Sequence, residues 1–521
     1  MNPVSKGAVS KSAASESTRM KISISTLALA VCALALSGCA QMQAQPAPAA
    51  PASPAPVAAS PFDSPPQAAA PRPLQIAAPV EQRLPNGLRV VLAERRGVQL
   101  VTAQLVVLSG SEADPPQRAG LASITAGLLT KGTRQHNATE LARAAESLGG
   151  GLDSGAGWHQ SEVAITVLVP KLDAALGLVS EAVQQPTFAQ AELDRLRAQA
   201  IDDLKVAYSR PGTVASQAAQ RLLFGAGAYG HPAGGTPQSL PRITRADLLA
   251  LHAARYRPEN AVLILAGDLD ADTAMRLATR HFGKWKTPSA GSAPAPIEGV
   301  APSLPATAAL IDMPQSGQAA VVLAAPLPPL TDQRATAAVM NGVLGDGFSS
   351  RLNQEIRIRR GLSYSAGSAL DARRQGGALR VVVQTKNESA AEVVGLVQGE
   401  LDRLVAEPVG ADELAARKAS LIGDFSRSVE TTAGLGAGVK SLIVAGLPAA
   451  ELRTRIDSLS AVSAADIQRF AAANFASPNR RLAVAGDTAK FSAALKATAP
   501  NRLELSATTM DLEKSDTLKA R

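Results

Sequence analysis

Thiols are almost missing from this sequence. Only two of its 521 residues are cysteines, Cys32 and Cys39. Both lie near the start, so the body of the chain can hold neither a disulfide framework nor a cysteine-ligated metal. Aromatic residues are nearly as scarce, at 3%, and bases would find no stacking platform here. The formal charge is +8, but acidic residues are scattered among the basic ones. No basic stripe forms, which argues against a nucleic-acid partner. Histidine occurs five times, at 136, 159, 231, 252 and 281. No two are four apart, so no helical His pair can grip a metal. Apolar residues reach 46%, mostly Ala, Leu and Val, enough for a large core in a chain long enough for several domains.

The N-terminal region carries a different signal. "MKISISTLALAVCALALSGCA" starts at Met20, the better translation start, and is apolar from Ile22 to Leu36. That run is shorter than the ~20 residues of a membrane-spanning helix and reads as a signal peptide. It ends in Leu36-Ser37-Gly38-Cys39, which resembles the lipobox of bacterial lipoproteins. The resemblance implies acylation of Cys39 and, with non-acidic Ala40 next, a periplasmic chain anchored at the outer membrane. Residues 40–80 are rich in Pro and Ala and read as an extended tether.

An internal repeat organises the rest. "ITRADLLALHAARYRPENAVLILAGD" (243–268) aligns without a gap to "VSAADIQRFAAANFASPNRRLAVAGD" (462–487), with nine of 26 positions identical. Each copy opens with Thr or Ser three residues before Asp, like a capping box. Each then runs through a helix into an apolar strand that stops at Gly-Asp. An offset of 219 residues is the size of a domain. Two homologous halves are therefore expected, 81–295 and 303–500, with 296–302 as connector and 501–521 as a polar tail. Within the first half, "GLRVVLAE", "TAQLVVLSG" and "EVAITVLVP" read as strands. "GLASITAGLLT", "ATELARAAESLG" and "AELDRLRAQAIDDLKVA" read as helices. This grouping predicts α+β halves, each a mainly antiparallel sheet covered on one face by helices. The Gly-rich "LGDGFSS" (344–350) and "TAGLGAGVK" (432–440) lack the Gly-Lys-Ser/Thr of a phosphate loop and read as turns or a flexible helix connection.

Five motifs follow in order: "LPNGLRVVLAE" (84–94), "SGSEADPPQRAGLASITAGLLTKGT" (109–133), "ESLGGGLDSG" (146–155), "YGHPAGGTPQSL" (229–240) and "RLNQEIRIRRGLSYSAGS" (351–368). Together they resemble the pitrilysin/insulinase family of zinc metallopeptidases, over about residues 81–490. The resemblance implies two domains forming half of a clam-shell chamber. Active members carry H-x-x-E-H on a helix, with two histidines at i and i+4 on zinc and the glutamate as general base. Here Ser123 and Gly127 stand at the histidine positions, Ala126 at the glutamate and Asp203 at the third-ligand position. A neutral serine is a poor zinc ligand, Gly127 and Ala126 offer neither ligand nor base, and one carboxylate cannot hold a catalytic zinc. Asp203 reads as a solvated or paired helix residue, and the chain as no enzyme by itself.

The second half matches the family's Arg/Tyr pair at Arg357 and Tyr364, seven apart across a helix-ending Gly361. In active members that pair faces the zinc and holds the substrate backbone. Some bacterial members are divided between two chains, one with the zinc motif and one with the pair. By that resemblance this chain is a non-catalytic subunit that lends Arg357 and Tyr364 to a partner bearing H-x-x-E-H and zinc. It would bind no cofactor itself, and the strand after "GGGLDSG" would line the chamber. The alternative is an inactive scaffold or peptide-binding lipoprotein.

Overall fold

A computed structural model describes residues 74–286, 303–496, 498–499 and 501–507. The signal peptide with Cys39, nearly all of the tether, the 296–302 connector and the end of the tail lie outside them. Among the described residues, no helix is long and apolar enough to cross a membrane.

The first half runs β1 (Val80–Arg83), β2 (Arg89–Glu94), β3 (Leu100–Val107), α1 (Leu121–Leu128), α2 (Ala138–Ser147), β4 (Asp153–Ala156), β5 (Ser161–Leu168), α3 (Leu172–Gln184), α4 (Gln190–Tyr208), α5 (Pro211–Phe224), α6 (Arg245–Arg255), β6 (Ala261–Gly267) and α7 (Ala271–Phe282). The second runs β7 (Ala308–Asp312), β8 (Ala319–Leu327), α8 (Arg334–Leu344), a π-helical stretch (Asn353–Arg359), β9 (Ala366–Asp371), β10 (Gly377–Thr385), α9 (Ala390–Ala406), α10 (Ala411–Ser428), α11 (Thr432–Val444), α12 (Arg455–Ala461), α13 (Ala464–Asn474), β11 (Arg481–Gly486) and β12 (Arg502–Ser506).

Each half builds one six-stranded, mainly antiparallel sheet. The strand orders are β1-β2-β6-β3-β5-β4 and β12-β7-β11-β8-β10-β9. The sequence repeat recurs in space: α6 and β6 correspond to α13 and β11 at the same offset, save that β11 starts one residue later. Both capping boxes form, Thr244 with Asp247 and Ser463 with Asp466. The Gly of each Gly-Asp has positive φ, +149° at Gly267 and +157° at Gly486. A Cβ on Gly267 would lie 2.2 Å from the Leu100 carbonyl oxygen, so the strand end tolerates only glycine.

The polar-tail expectation fails over Arg502–Ser506. These residues form β12, parallel to β7, in the sheet position that β1 fills in the first half. Leu503 and Leu505 pack inward with α5, a short alternation inside polar surroundings. Similarly Val80, given to the tether, already belongs to β1.

One face of each sheet is covered by its own half's helices, as expected. The opposite face receives a helix from the other half. Val214, Ala215, Ala218, Ala219 and Leu222 of α5 pack on Ala320, Val322 and Ala483 of the second sheet. Leu435, Val439, Leu442 and Ile443 of α11 pack on Val91, Val106, Val262 and Ile264 of the first. The exchange explains why β6 is buried at every position: a strand covered on both faces reads as one apolar run. It also corrects the reading of 432–440. That stretch is the first part of α11, capped by Thr431, whose side chain accepts from Gly434 N at 3.0 Å. Its glycines permit close approach, and a Cβ on Gly436 would sit 3.4 Å from Gln104 Oε1. Gly347 has φ +107°, so the turn reading of 344–350 fits there.

Candidate functional site

The α1 helix is held in place by the loops around it. Gly120 before it has φ +93° and no capping side chain. Asp114 caps from outside: its two carboxylate oxygens accept from Gly120 N and Ala122 N, each at 2.9 Å. Burial pushes the Asp114 carboxyl up to about 8. A Cβ on Gly120 would come within 3.0 Å of Gly235 Cα and the Gly234 carbonyl. Ser239 Oγ donates to the Ala119 carbonyl at 2.8 Å. The 109–133 and 229–240 motifs are therefore one interlocked unit.

On α1, Ser123 and Gly127 are half-buried, one turn apart on one face, as i and i+4 require. Ala126 is fully buried. A Cβ on Gly127 would lie 3.1 Å from Leu196 Cδ2 on α4. Asp203, also on α4, is exposed. Hydroxyl, hydrogen and methyl cannot replace two imidazoles and a carboxylate, so these residues do not fit zinc. Among the described residues, no group of three His, Cys, Asp or Glu could hold a metal ion.

Each histidine has a packing or hydrogen-bonding task. His136 Nδ1 donates to buried Glu181 at 2.9 Å. His252 Nε2 donates to the Val183 carbonyl at 2.7 Å, and burial lowers its pKa. His281 Nε2 donates to Asp173 at 2.6 Å. His231 Nδ1 donates to the Pro232 carbonyl at 3.2 Å, and burial lowers its pKa. His159 Nε2 accepts from the Tyr229 hydroxyl at 3.1 Å and from Arg374 N at 3.2 Å.

That last bond lies on a seam between the halves. Beside it, Arg373 is 5% exposed. Its guanidinium stacks 3.9 Å from the Trp158 ring centroid and 4.7 Å from that of Tyr229. It also makes a two-pronged ion pair with Asp371, one prong being Nη2–Oδ2 at 2.5 Å. Nothing in the sequence around Arg373 announces this role.

Arg357 and Tyr364 do come together. Arg357 lies in the π-helical stretch, a rare geometry that recurs at functional sites. Gly361, at φ +63°, turns the chain out of it. Arg351 fixes the entry through a bidentate pair with Glu413 at 2.9 and 2.7 Å. The Arg357 guanidinium carbon then sits 4.7 Å from the Tyr364 ring centroid and 5.0 Å from that of Phe348. Arg359 and Arg360 both pair with Glu355, whereas Arg357 has no carboxylate partner among the described residues. Tyr364 is 86% exposed and Phe348 60%. The third member, Phe348, went unrecognised in the sequence; an aromatic directly after Asp-Gly in a loop was its only sign.

Set beside known proteins, residues 89–235 match the family model described as "Insulinase (Peptidase family M16)". Residues 242–421 match the one described as "Peptidase M16 inactive domain". An uncharacterized zinc protease of Mycobacterium leprae is 30% identical over 348 residues, 67% of this chain and 78% of that protein. A non-peptidase homolog of Helicobacter pylori is 23% identical, over 76% of this chain and 91% of its own length. The crystal structure of a peptidase M16 inactive domain from Pseudomonas fluorescens superposes with a TM-score of 0.73 at 26% identity, covering 78% of this chain and 98% of that one. The chain belongs to the insulinase (M16) peptidase family, with the two-domain architecture of its clam-shell. Ser123, Ala126 and Gly127 stand where the family resemblance puts the zinc motif, and none of the three is a histidine or a glutamate.

Proposed function

We propose that this chain is a peptide-binding pseudo-peptidase, with Arg357 and Tyr364 as donors to the backbone of an extended peptide. One observation carries the reading: Arg357 is the arginine in its stretch left without a carboxylate, held between two exposed rings. Guanidinium and phenol both donate to a peptide carbonyl. Binding of extended peptides to the purified chain tests it. Arg357→Ala should weaken binding roughly ten- to a hundredfold, the range for a charge-assisted hydrogen bond of about 1.5–3 kcal/mol. Arg359→Ala, which removes only an exposed pair with Glu355, should change it little. Equal affinity in wild type and Arg357→Ala would sink the assignment.

A second reading builds on the same pair. Tyr364 and Phe348 project into solvent, where they can meet a substrate resting on another protein. In that reading the chain is the non-catalytic subunit of a heterodimeric periplasmic zinc peptidase. It is anchored through acylated Cys39 and works beside a homologue that carries H-x-x-E-H and the zinc. Activity should then appear only when the two chains are mixed. Arg357→Ala or Tyr364→Phe should lower kcat/KM by up to roughly 10²–10³ if the donor acts on the oxyanion. If the variants assemble and cleave at the wild-type rate, the pair does not serve catalysis in trans.

A further inference from the structure

Beyond Tyr364, a groove continues between α5 of the first half and the outer strands β9 and β10 of the second. It consists of two cavities, of about 660 and 550 Å³, which share Ser216, Arg380, Val382 and Gln384. The first begins at Ser363 and Tyr364; the second ends at Trp158 and Pro232. Arg380 stands where they meet, with room on both sides. On β10 it lies on the same face as Val382 and Gln384, the two exposed positions of that strand. The opposite wall comes close: a Cβ on Gly212 would sit 3.3 Å from Gln384 Nε2.

The charge of this groove has one sign. Among the described residues, Arg380 Nε is buried without a hydrogen-bond partner, and no carboxylate of theirs forms an ion pair with its guanidinium. Arg210, exposed, lines the same groove. The lining carboxylate is Asp371, and both its oxygens are taken by Arg373. A buried guanidinium N–H without an acceptor is costly to leave unmade, and an anion arriving from outside would supply the acceptor. Arg380 stands in mid-groove rather than at a closed end. This favours a side-chain carboxylate of a chain that runs on in both directions over a chain terminus.

We propose that the groove is a subsite selecting peptides with an Asp or Glu side chain, bound at Arg380 and supported by Arg210. The proposal rests on the peptide-binding reading of Arg357 and Tyr364 and names the kind of peptide that site takes. Hydroxyl and amide groups of Ser216, Gln217 and Gln384 line the path, and they suit a polar, extended backbone.

The test uses the full chain and a set of capped decapeptides, amidated at the C-terminus. A single Glu is walked along an otherwise neutral sequence, with Gln at the same place as control. At low ionic strength one register of Glu should bind roughly tenfold tighter than its Gln counterpart. The preference should shrink at high salt, which screens the charge. Arg380→Gln should abolish the Glu-over-Gln preference, and Arg380→Glu should transfer it to Lys peptides. Unchanged melting temperature and a retained Arg357→Ala effect would show that both variants are folded. Equal binding of Glu and Gln peptides in every register, with Arg357 still required, overturns the acidic subsite and leaves the peptide-binding reading standing. A preference that appears only with a free C-terminal carboxylate also overturns it. If no peptide binds at all, both fall together.

Discussion

Removing the Arg373 side chain should destabilise the protein at the seam between its halves. The Arg373 side chain is 2% exposed, and the Asp371 side chain it neutralises is 18% exposed. Arg373→Ala leaves that carboxylate without its cation and opens space against Trp158, Phe224 and Tyr229. Breaking a buried pair by deleting one partner costs about 3–5 kcal/mol, and stacking of a desolvated cation on an aromatic ring contributes about 2 kcal/mol. Because these overlap, the expected loss is about 4 kcal/mol. Unfolding entropy of roughly 2.1 cal/mol/K per residue, over a body of about 400 residues, gives about 0.8 kcal/mol/K. The melting temperature should then fall by roughly 5 °C. Asp371→Asn, combined with Arg373→Met, should recover at least half of the loss, since no orphan charge remains and the stem still packs. Urea unfolding of wild type, Arg373→Ala and the combined variant measures this directly. If Arg373→Ala lies within about 1 kcal/mol of wild type, or the combined variant is no more stable than Arg373→Ala, the buried-pair reasoning is wrong.

Asp114 supplies a pH signature. Its carboxyl is pushed up to about 8 by burial from about 3.9 in an unfolded chain. The folded state therefore keeps a proton that the unfolded state has released. This contribution to stability is complete below about pH 4 and is lost as pH rises toward 8, by up to about 1.4 kcal/mol per unit. Asp114→Asn should flatten the fall in unfolding free energy between pH 5 and 8; identical slopes for both proteins would refute this. Metal analysis of the purified chain should find far less than one zinc per chain, and a tightly held stoichiometric zinc would refute the reading of Ser123, Ala126 and Gly127. Cys39→Ser should move the protein out of the membrane fraction; persistence there after a high-salt wash would point to another attachment.

The repeat was fully legible in the sequence because its signals are local. Capping boxes, a 3.6-residue period and a glycine at the strand end each act within a few residues. The crossing of α5 and α11 was not legible, since covering the far face of a sheet is a relation between segments hundreds of residues apart. Its trace was present in the unbroken apolar run of β6, which a one-faced sheet does not need. At the candidate site, Arg357 and Tyr364 were visible through a motif. Phe348, Arg373 and Arg380 were not, because each acts through neighbours that only the fold brings near. Asp114 was hidden for a related reason: it caps a helix six residues away, outside the spacing of an ordinary cap.

The exchange of α5 and α11 means that neither half is a self-sufficient folding unit. A protein made of one half alone would expose an apolar sheet face and carry a helix with nowhere to dock. Two such copies would satisfy each other by trading helices, as a symmetric dimer. The present chain holds both halves of such an arrangement in one polypeptide. The two halves accordingly differ in detail: α1 of the first carries Ser123 and Gly127, while the second sets Arg357 beside the rings of Phe348 and Tyr364. Shape is held in common across the pair, and the side chains at matching places are free to differ.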